Sequence, residues 1–201
     1  MRVVWKRAFT LIELLVVVAI IGLLVSIAVP SLGRARASGK RAACASNLRQ
    51  IGIAMRSYLG AANDRLPYAS YMPSVSPAPL DGPDPIYIAD VLANDTGHQE
   101  NVFRCPNDIS SYSDDPNKER LPPNVNKTYF ETERSSYEYR DRLAGQTLEE
   151  YVARIRDRTG QVIAPSSVWI FRDFNNFHAP AGALGSRRYV YIDGHVTDFE
   201  N

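Results

Sequence analysis

Apolar residues dominate one long stretch near the N-terminus of this 201-residue chain. From Phe9 to Val29 the chain runs for 21 residues, and Glu13 is the one charged residue among them. At 1.5 Å per residue, a helix of this length spans about 30 Å, the thickness of the hydrocarbon core of a bilayer. A chain this short has no core large enough to surround such a helix. The pattern therefore predicts a membrane-spanning helix.

After Pro30 the apolar positions follow an amphipathic helical pattern. They recur at spacings of four, three, four and three residues, as Cys44, Leu48, Ile51, Met55 and Tyr58. The opposite face carries arginines at positions 41, 49 and 56, and Gly60 is expected to cap the helix. Together the two patterns predict a nearly continuous helix of 49 residues over 11–59, about 70 Å long. Its second half would pack one apolar stripe on the rest of the chain.

The remaining sequence predicts short elements joined by loops. Six prolines between residues 67 and 85, and a polar stretch over 107–128, favour loops. We expect a short helix over 87–92, an extended piece over 102–106 and a helix over 147–158 opened by a Thr-x-x-Glu capping box. Strands are expected over 137–139, 162–163, 168–171, 188–192 and 195–199. The Asp193-Gly194 pair between the last two strands predicts a hairpin with positive φ at both residues. The overall expectation is an α+β fold.

The N-terminus does not have the order of an ordinary secretory signal. Its apolar run is too long, and the small residue Ala8 precedes that run instead of following it. Cleavage at Ala8 would remove a basic leader and leave the apolar helix on the product. Basic residues flank the apolar run on both sides, so charge alone does not choose an orientation in the membrane.

The sequence from Lys6 to Leu14, KRAFTLIEL, resembles the processing site of type IV prepilins and of type II secretion pseudopilins. The resemblance implies that a membrane-embedded aspartyl prepilin peptidase cuts between Ala8 and Phe9 and then methylates the amino group of Phe9. The family usually has glycine where this chain has Ala8. The resemblance divides the chain into a leader over 1–8, a membrane and filament-core helix over 9–30, its amphipathic continuation over 31–59 and a globular α+β domain over 60–201.

The same resemblance gives roles to Glu13 and Pro30, which become residues 5 and 22 of the cut chain. A carboxylate costs about 2.5–3.5 kcal/mol at the centre of a membrane helix and less near its end. The new amine of Phe9 lies four residues before Glu13 on the same helix face, and a neighbouring subunit offers the same amine. Pairing of amine and carboxylate would fix the register of a filament, whereas Pro30 would bend or loosen the helix. The alternative is that Glu13 extends to the lipid headgroups.

The resemblance also implies a pilin-like fold and a structural function. The chain would be a subunit of a type II secretion pseudopilus or of a type IV pilus-like filament. It would cross the bacterial inner membrane once, with its body on the periplasmic side. Its partners would be the prepilin peptidase and methyltransferase, homologous pilin or pseudopilin subunits and an inner-membrane assembly platform.

The two cysteines, Cys44 and Cys105, are 61 residues apart. A body outside the cytoplasm permits a disulfide between them, which would attach the loop-rich region to the long helix. The alternative is a pair of buried, unbonded thiols.

Histidines and aspartates concentrate near the C-terminus, at Asp173, His178, Asp193 and His195. This part resembles a segment of many pilin-like proteins in which a histidine precedes an Asp-Gly-His-Val hairpin. The commonest form has nine residues between the histidine and the aspartate, and this chain has 14. Asp173 and Asp193 are weak candidates for a calcium site, since no loop supplies closely spaced oxygen ligands and the turn already explains Asp193.

Composition and motifs narrow the function further. The net charge of +1 provides no bulk attraction for nucleic acid, and we expect no nucleic-acid partner. The sequence has no phosphate loop, zinc-protease motif, Cys-x-x-Cys or nucleophile elbow, so we expect no enzymatic activity. A hydrolase that uses His178 or His195 with Asp173 would lack a recognisable nucleophile. The main alternative is a membrane-anchored, extracytoplasmic binding or sensory module that does not polymerise.

Overall fold

A computed structural model describes residues 10–70, 73, 86–108, 127–179, 183 and 185–198. The leader, the processing residues Ala8 and Phe9, and most of the two predicted loops lie outside the described residues. The chain divides into two compact units, Met1–Gly39 and Lys40–Asn201.

The first unit contains the beginning of helix α1, which spans Leu11–Ala61. Every described residue up to Gly39 is exposed, including the large apolar side chains. This part of α1 is long and apolar enough to cross a membrane, and none of its apolar window is buried inside the chain. Burial within the described part of the chain therefore does not explain its apolar composition.

The end of α1 lies slightly beyond the predicted one. The helix continues through Gly60 to Ala61, so the prediction of a cap at Gly60 is wrong. Asn63 and Asp64 take positive φ angles of 53° and 58° instead, and the Asp64 amide donates to the Leu59 carbonyl at 3.0 Å. Asn and Asp tolerate this backbone region better than most residues, which is why they can terminate the helix.

In the second unit, α1 packs its predicted stripe against the core. Cys44, Leu48, Ile51 and Met55 are each 0% exposed, which confirms the helical periodicity. Gly52 lies on the same stripe, and a Cβ at its position would come within 2.9 Å of the Val190 side chain. The absence of a side chain there lets the helix approach the sheet closely.

Four antiparallel strands form one sheet in the order β1-β2-β3-β4. They are β1 Tyr137–Tyr139, β2 Trp169–Asp173, β3 Arg188–Tyr191 and β4 Val196–Asp198. A long helix packed on a small antiparallel sheet confirms the α+β, pilin-like fold class. Four of the five predicted strands are confirmed. The fifth, over 162–163, is wrong because that stretch has no regular structure, and Val162 is 82% exposed.

The hairpin between β3 and β4 is wider than the two-residue turn that the sequence predicts. The Tyr191 amide donates to the His195 carbonyl at 3.0 Å, so three residues lie in the loop. Gly194 has a φ of 85°, whereas Asp193 is not among the residues with positive φ. This is the three-residue hairpin in which glycine supplies the left-handed position.

Shorter helices complete the body. They are α2 Ile88–Val91, α3 Tyr129–Glu133 and α4 Leu148–Thr159, with 3-10 turns at Glu100–Phe103, Asp141–Leu143 and Pro165–Ser167. The predicted α2 and α4 are confirmed, and Thr147 and Glu150 form the expected capping box of α4. The prediction of an extended Val102-Phe103 is wrong, since both residues lie in a 3-10 turn that buries their side chains. Helix α3 was not predicted.

Candidate functional site

The first turn of α1 is closed by a capping box. The Glu13 carboxylate accepts hydrogen bonds from the Thr10 amide at 2.9 Å and from the Thr10 hydroxyl at 2.7 Å. In return, the Glu13 amide donates to the Thr10 hydroxyl oxygen at 3.3 Å. This arrangement satisfies backbone donors that have no partner within the helix. The Thr-x-x-Glu spacing of residues 10–13 is the sequence signal for this capping box.

The capping box gives Glu13 a partner within its own chain. Its expected partner, the amine of Phe9, lies outside the described residues, as does the Ala8–Phe9 bond. The amine–carboxylate pair therefore remains a prediction. If it forms, the carboxylate must share or exchange its hydrogen bonds with Thr10.

Pro30 lies inside α1, and the helix continues on both sides of it. Proline has no backbone N–H, so the carbonyl four residues earlier, on Ser26, lacks its usual helical donor. The Ser26 hydroxyl donates to the Leu23 carbonyl at 2.7 Å. The helix therefore has a local weakness near the end of its apolar half.

Cys44 and Cys105 form a disulfide with an S–S distance of 2.08 Å. Cys44 is on the buried stripe of α1, and Cys105 follows the 3-10 turn at Glu100–Phe103. Both residues are almost completely buried, at 0% and 1% exposure. The bond attaches the central loop-rich region directly to the helix.

A buried histidine and aspartate lie next to this disulfide. The His178 Nε2 atom is 3.3 Å from Asp173 Oδ2 and 3.9 Å from Cys105 Sγ. Both side chains are 0% exposed. On the other side of the ring, His178 Nδ1 is 3.1 Å from the side-chain nitrogen Nδ2 of Asn107. The sequence indicated Asp173 and His178 as candidate site residues, but it did not predict that His178 lies beside the cysteines.

Asp173 is only partly satisfied in this environment. Its Oδ2 atom accepts a hydrogen bond from the Arg188 amide at 2.7 Å. Its Oδ1 atom is buried and has no hydrogen-bond partner among the described residues. Burial raises the pKa of Asp173, although His178 and Arg188 oppose that shift.

Asp193 and His195 occupy the exposed hairpin instead. The Asp193 carboxylate lies 2.5 Å from His195 Nδ1 and accepts from the His195 amide at 3.1 Å. Slight burial raises the pKa of Asp193, but hydrogen bonds from His195 more than offset this and leave the pKa lowered. Arg56 of α1 donates to the Asp193 carbonyl. Asp193 and His195 therefore hold the turn of the hairpin through contacts with each other, and Arg56 attaches that turn to α1.

The structure separates the two aspartates considered for calcium. Arg172 pairs with Tyr189, so Asp173 lies beside the start of β3. Asp193 follows the end of β3. The two carboxylates are thus at opposite ends of one strand, one buried and one exposed, and the structure does not bring these two calcium candidates together.

Two arginines of α1 hold the histidine-containing segment and the hairpin. Arg41 donates to the His178 carbonyl, and Arg56 donates to the Asp193 carbonyl. The Arg188 side chain donates to the Arg41 carbonyl at 3.0 Å. The sequence predicts both arginines on the face of α1 opposite the apolar stripe, and their hydrogen bonds to the C-terminal part give them structural roles.

A second buried carboxylate supports the disulfide from the other side. Asp108 accepts from the amides of Tyr129 and Phe130 at 3.3 and 2.9 Å, and from the Ser136 hydroxyl at 2.7 Å. The Ser136 hydroxyl oxygen also accepts from the Cys105 amide at 3.0 Å. Burial raises the pKa of Asp108, although these hydrogen bonds oppose the shift. No pattern in the sequence pointed to this network.

The buried site is built around the Cys44–Cys105 disulfide. His178 and Asp173 resemble part of a hydrolytic arrangement, but the neighbouring sulfur belongs to a disulfide and is not a free nucleophile. Among the described residues, the group with metal-binding donor atoms within 4.8 Å of one another is Cys44, Cys105 and His178.

Comparison with known proteins locates similarity at the N-terminus. Residues 6–29 match the prokaryotic N-terminal methylation motif. The N-terminal part of the chain is 43% identical over 53 residues to the type IV major pilin protein PilA of Myxococcus xanthus (strain DK1622). The matched stretch covers 26% of this chain and 24% of that pilin, so the chain spans about a quarter of the relative's length. No solved structure matches the chain significantly. The motif and the apolar helix fit a single-pass membrane-anchored protein.

Proposed function

We propose that this chain is a filament subunit that is cut between Ala8 and Phe9, methylated on Phe9 and assembled through the apolar part of α1. One observation carries the proposal. The methylation motif over residues 6–29 overlaps a helical segment whose described apolar side chains are all exposed. A processing signal and an unpartnered apolar surface therefore lie on the same segment.

The exposure of this segment is what requires an external partner. Leu11 is 80% exposed, Leu23 is 65% exposed and Val29 is 62% exposed. Burying apolar surface contributes about 25 cal/mol per Å². Lipid would satisfy this requirement before assembly, and the same segments of neighbouring subunits would satisfy it in a filament.

Glu13 would give that association its register. In the capping box its carboxylate lies at the start of the helix, close in sequence to the amine that cleavage would create. A neighbouring subunit's amine would then neutralise a carboxylate that is costly in an apolar surrounding. Apolar packing holds neighbouring helices together but does not fix how far one is shifted along the other. One charge pair would therefore have a large effect on the register of the subunits.

We place the body on the extracytoplasmic side. Disulfides persist in oxidising compartments, and Cys44–Cys105 lies inside the body. The filament would belong to a type II secretion pseudopilus or to a type IV pilus-like assembly. The similarity to a type IV major pilin is confined to the N-terminal part. A test of the proposal therefore needs both a surface-filament arm and a secretion arm.

The test begins with intact-mass and N-terminal analysis of the protein from its native membrane. We expect a chain that starts at N-methylated Phe9. Glu13→Ala is then expected to retain cleavage but to lower the amount of sheared surface filament, or of secreted protein, by at least about tenfold, as loss of a 1.4 kcal/mol preference would. Glu149→Ala is the matched control, because Glu149 is exposed on α4 and far from the segment in sequence.

Two outcomes would contradict the proposal. The first is a native protein that retains Met1 or starts after Val29. The second is a Glu13→Ala variant that is processed normally and whose filament yield and secretion both equal those of wild type. That result would favour an anchored binding module that does not polymerise.

A further inference from the structure

The surroundings of the disulfide contain more potential metal ligands than a disulfide needs. The sulfur atoms of Cys44 and Cys105 and a ring nitrogen of His178 lie within 4.8 Å of one another and are all buried. Asp173 Oδ2 is 3.3 Å from His178 Nε2. Two thiolates, one imidazole and one carboxylate are donors that zinc accepts in a tetrahedral site.

Two of the distances agree with such a site, whereas the two sulfur atoms, which are 2.08 Å apart in the disulfide, would separate to about 3.8 Å around zinc after reduction. Zinc binds nitrogen and carboxylate oxygen at about 2.0–2.2 Å, so two of these donors at a tetrahedral angle are about 3.3–3.5 Å apart. The observed separation of Asp173 Oδ2 and His178 Nε2 is 3.3 Å. A sulfur at about 2.3 Å from the metal would lie about 3.5 Å from the nitrogen, and the observed distance from Cys105 Sγ is 3.9 Å.

Asp173 provides an independent indication that the cluster is incomplete as a purely disulfide-bonded core. Its Oδ1 atom is buried and has no hydrogen-bond partner among the described residues. A buried carboxylate oxygen without a hydrogen bond is destabilising, because its lost hydration is not replaced. A cation beside the carboxylate would remove that cost.

We propose that the dithiol form of this chain binds one Zn²⁺ through Cys44, Cys105 and His178, with Asp173 as the fourth ligand. This inference is independent of the filament function. A thiol or phosphine reductant supplies two electrons to the disulfide, and two protons from solvent complete the two thiols. Zinc then replaces both thiol protons, which leave to solvent. The disulfide and the metal are mutually exclusive, because the sulfur atoms supply thiolates only when the bond between them is broken.

The neighbouring groups suit a bound metal. Two thiolates and one carboxylate around Zn²⁺ leave one net negative charge. The Arg41 guanidinium donates to the His178 carbonyl, which places a positive charge beside the site, and the Arg188 backbone amide donates to Asp173. When Nε2 binds zinc, the imidazole proton must reside on Nδ1. A turn of the Asn107 amide would then present its oxygen to that proton.

The first test needs no variant. The full chain, without a polyhistidine tag, is purified in detergent and divided into an oxidised sample and a sample reduced with a phosphine under argon. Each is stripped with a chelator and titrated with Zn²⁺ against a chromophoric indicator of about micromolar affinity. We expect one Zn²⁺ per chain in the reduced sample and at least about tenfold weaker binding in the oxidised one. Co²⁺ in place of zinc is expected to give the absorption of tetrahedral thiolate coordination.

Variants then identify the ligands. In reduced protein, Cys105→Ser is expected to weaken Zn²⁺ binding by at least about 100-fold, and Asp173→Asn by about 10–100-fold. His195→Ala and Asp193→Asn are matched controls from the exposed hairpin, and neither is expected to change the affinity. Circular dichroism checks that each variant remains folded.

Three results would overturn the proposal. They are failure of the reduced wild-type chain to compete for Zn²⁺, equal binding by the oxidised chain, and a Co²⁺ spectrum without thiolate absorption. The wild-type comparison decides the matter even if a core variant does not fold.

Discussion

The two halves of α1 belong to one helix but differ in how far the rest of the chain covers them. In the first half, Leu23 is 65% exposed, and the described side chains before Gly39 are all exposed. In the second half, Leu48 is 0% exposed, and Cys44 is covalently bonded to the body. The same kind of substitution should therefore have different effects in the two halves. In the second half it should lower the stability of the body, and in the first half it should weaken association with other subunits.

Loss of the disulfide should have the largest effect on stability. The bond lies in the second half of α1, so the effect should be confined to the body. Cys44→Ser with Cys105→Ser should lower the free energy of unfolding of the body by about 4 kcal/mol, since the bond closes a loop of about 60 residues. In the chain cut after Ala8, Trp169 is the one remaining tryptophan, and its fluorescence reports denaturant unfolding. A chelator is included so that zinc does not compensate in reduced wild-type protein.

The control for the disulfide prediction is the cutting of the leader in the same double variant. Processing should be unchanged, because the cut site lies 36 residues before Cys44. Loss of processing together with loss of stability would mean that the two halves are not independent.

Two leucines, one in each half of α1, give the next largest effect and separate folding of the body from association. Leu48→Ala should destabilise the body by about 3 kcal/mol because it leaves a cavity in a fully buried position. Leu23→Ala should change the unfolding free energy of the body by less than about 0.5 kcal/mol. It should instead reduce filament yield. Equal destabilisation by the two substitutions would contradict the assignment of separate roles.

The smallest expected effect is a pH dependence that belongs to the body. Because burial raises the pKa of Asp108 from its ordinary value of 3.8, the folded state holds the Asp108 proton more tightly than the unfolded state. The stability contributed by that proton is present below pH 3.8 and is lost as the pH rises through the folded pKa. Asp108→Asn should remove this contribution, which for one proton is at most about 1.4 kcal/mol per pH unit.

Unfolding curves of wild type and Asp108→Asn between acidic and neutral pH measure the difference in slope. Asp157→Asn serves as the control, since Asp157 is an exposed residue on α4. Parallel slopes in wild type and Asp108→Asn would show that Asp108 does not contribute in this way.

Periodic and local features of the structure could be predicted from the sequence. The buried stripe from Cys44 to Met55 follows from apolar spacing, and the Thr147–Glu150 capping box follows from residues three positions apart. The final hairpin was predicted from two β-rich segments around a turn, although its exact width was not. Each of these features depends on interactions between residues that are near in sequence.

The features that the sequence did not predict depend on contacts between distant segments. Tyr129 is 1% exposed in a helix of five residues whose amides bind Asp108, which is 21 residues away. His178 lies beside Cys105 across 73 residues. The error at Val102-Phe103 has the same cause, because burial of both side chains favours a tight turn over the extended form that Pro106 suggested.

The connections between the body and α1 have a mechanical consequence. The covalent bond at Cys44 lies between the hydrogen bonds of Arg41 and Arg56, within about 22 Å along the helix. A pulling force along the helix axis would load these three anchors in shear and would not peel them apart one at a time. The body would resist tension as a block, and the first element to extend would be the helix near Pro30, where one backbone hydrogen bond is already missing.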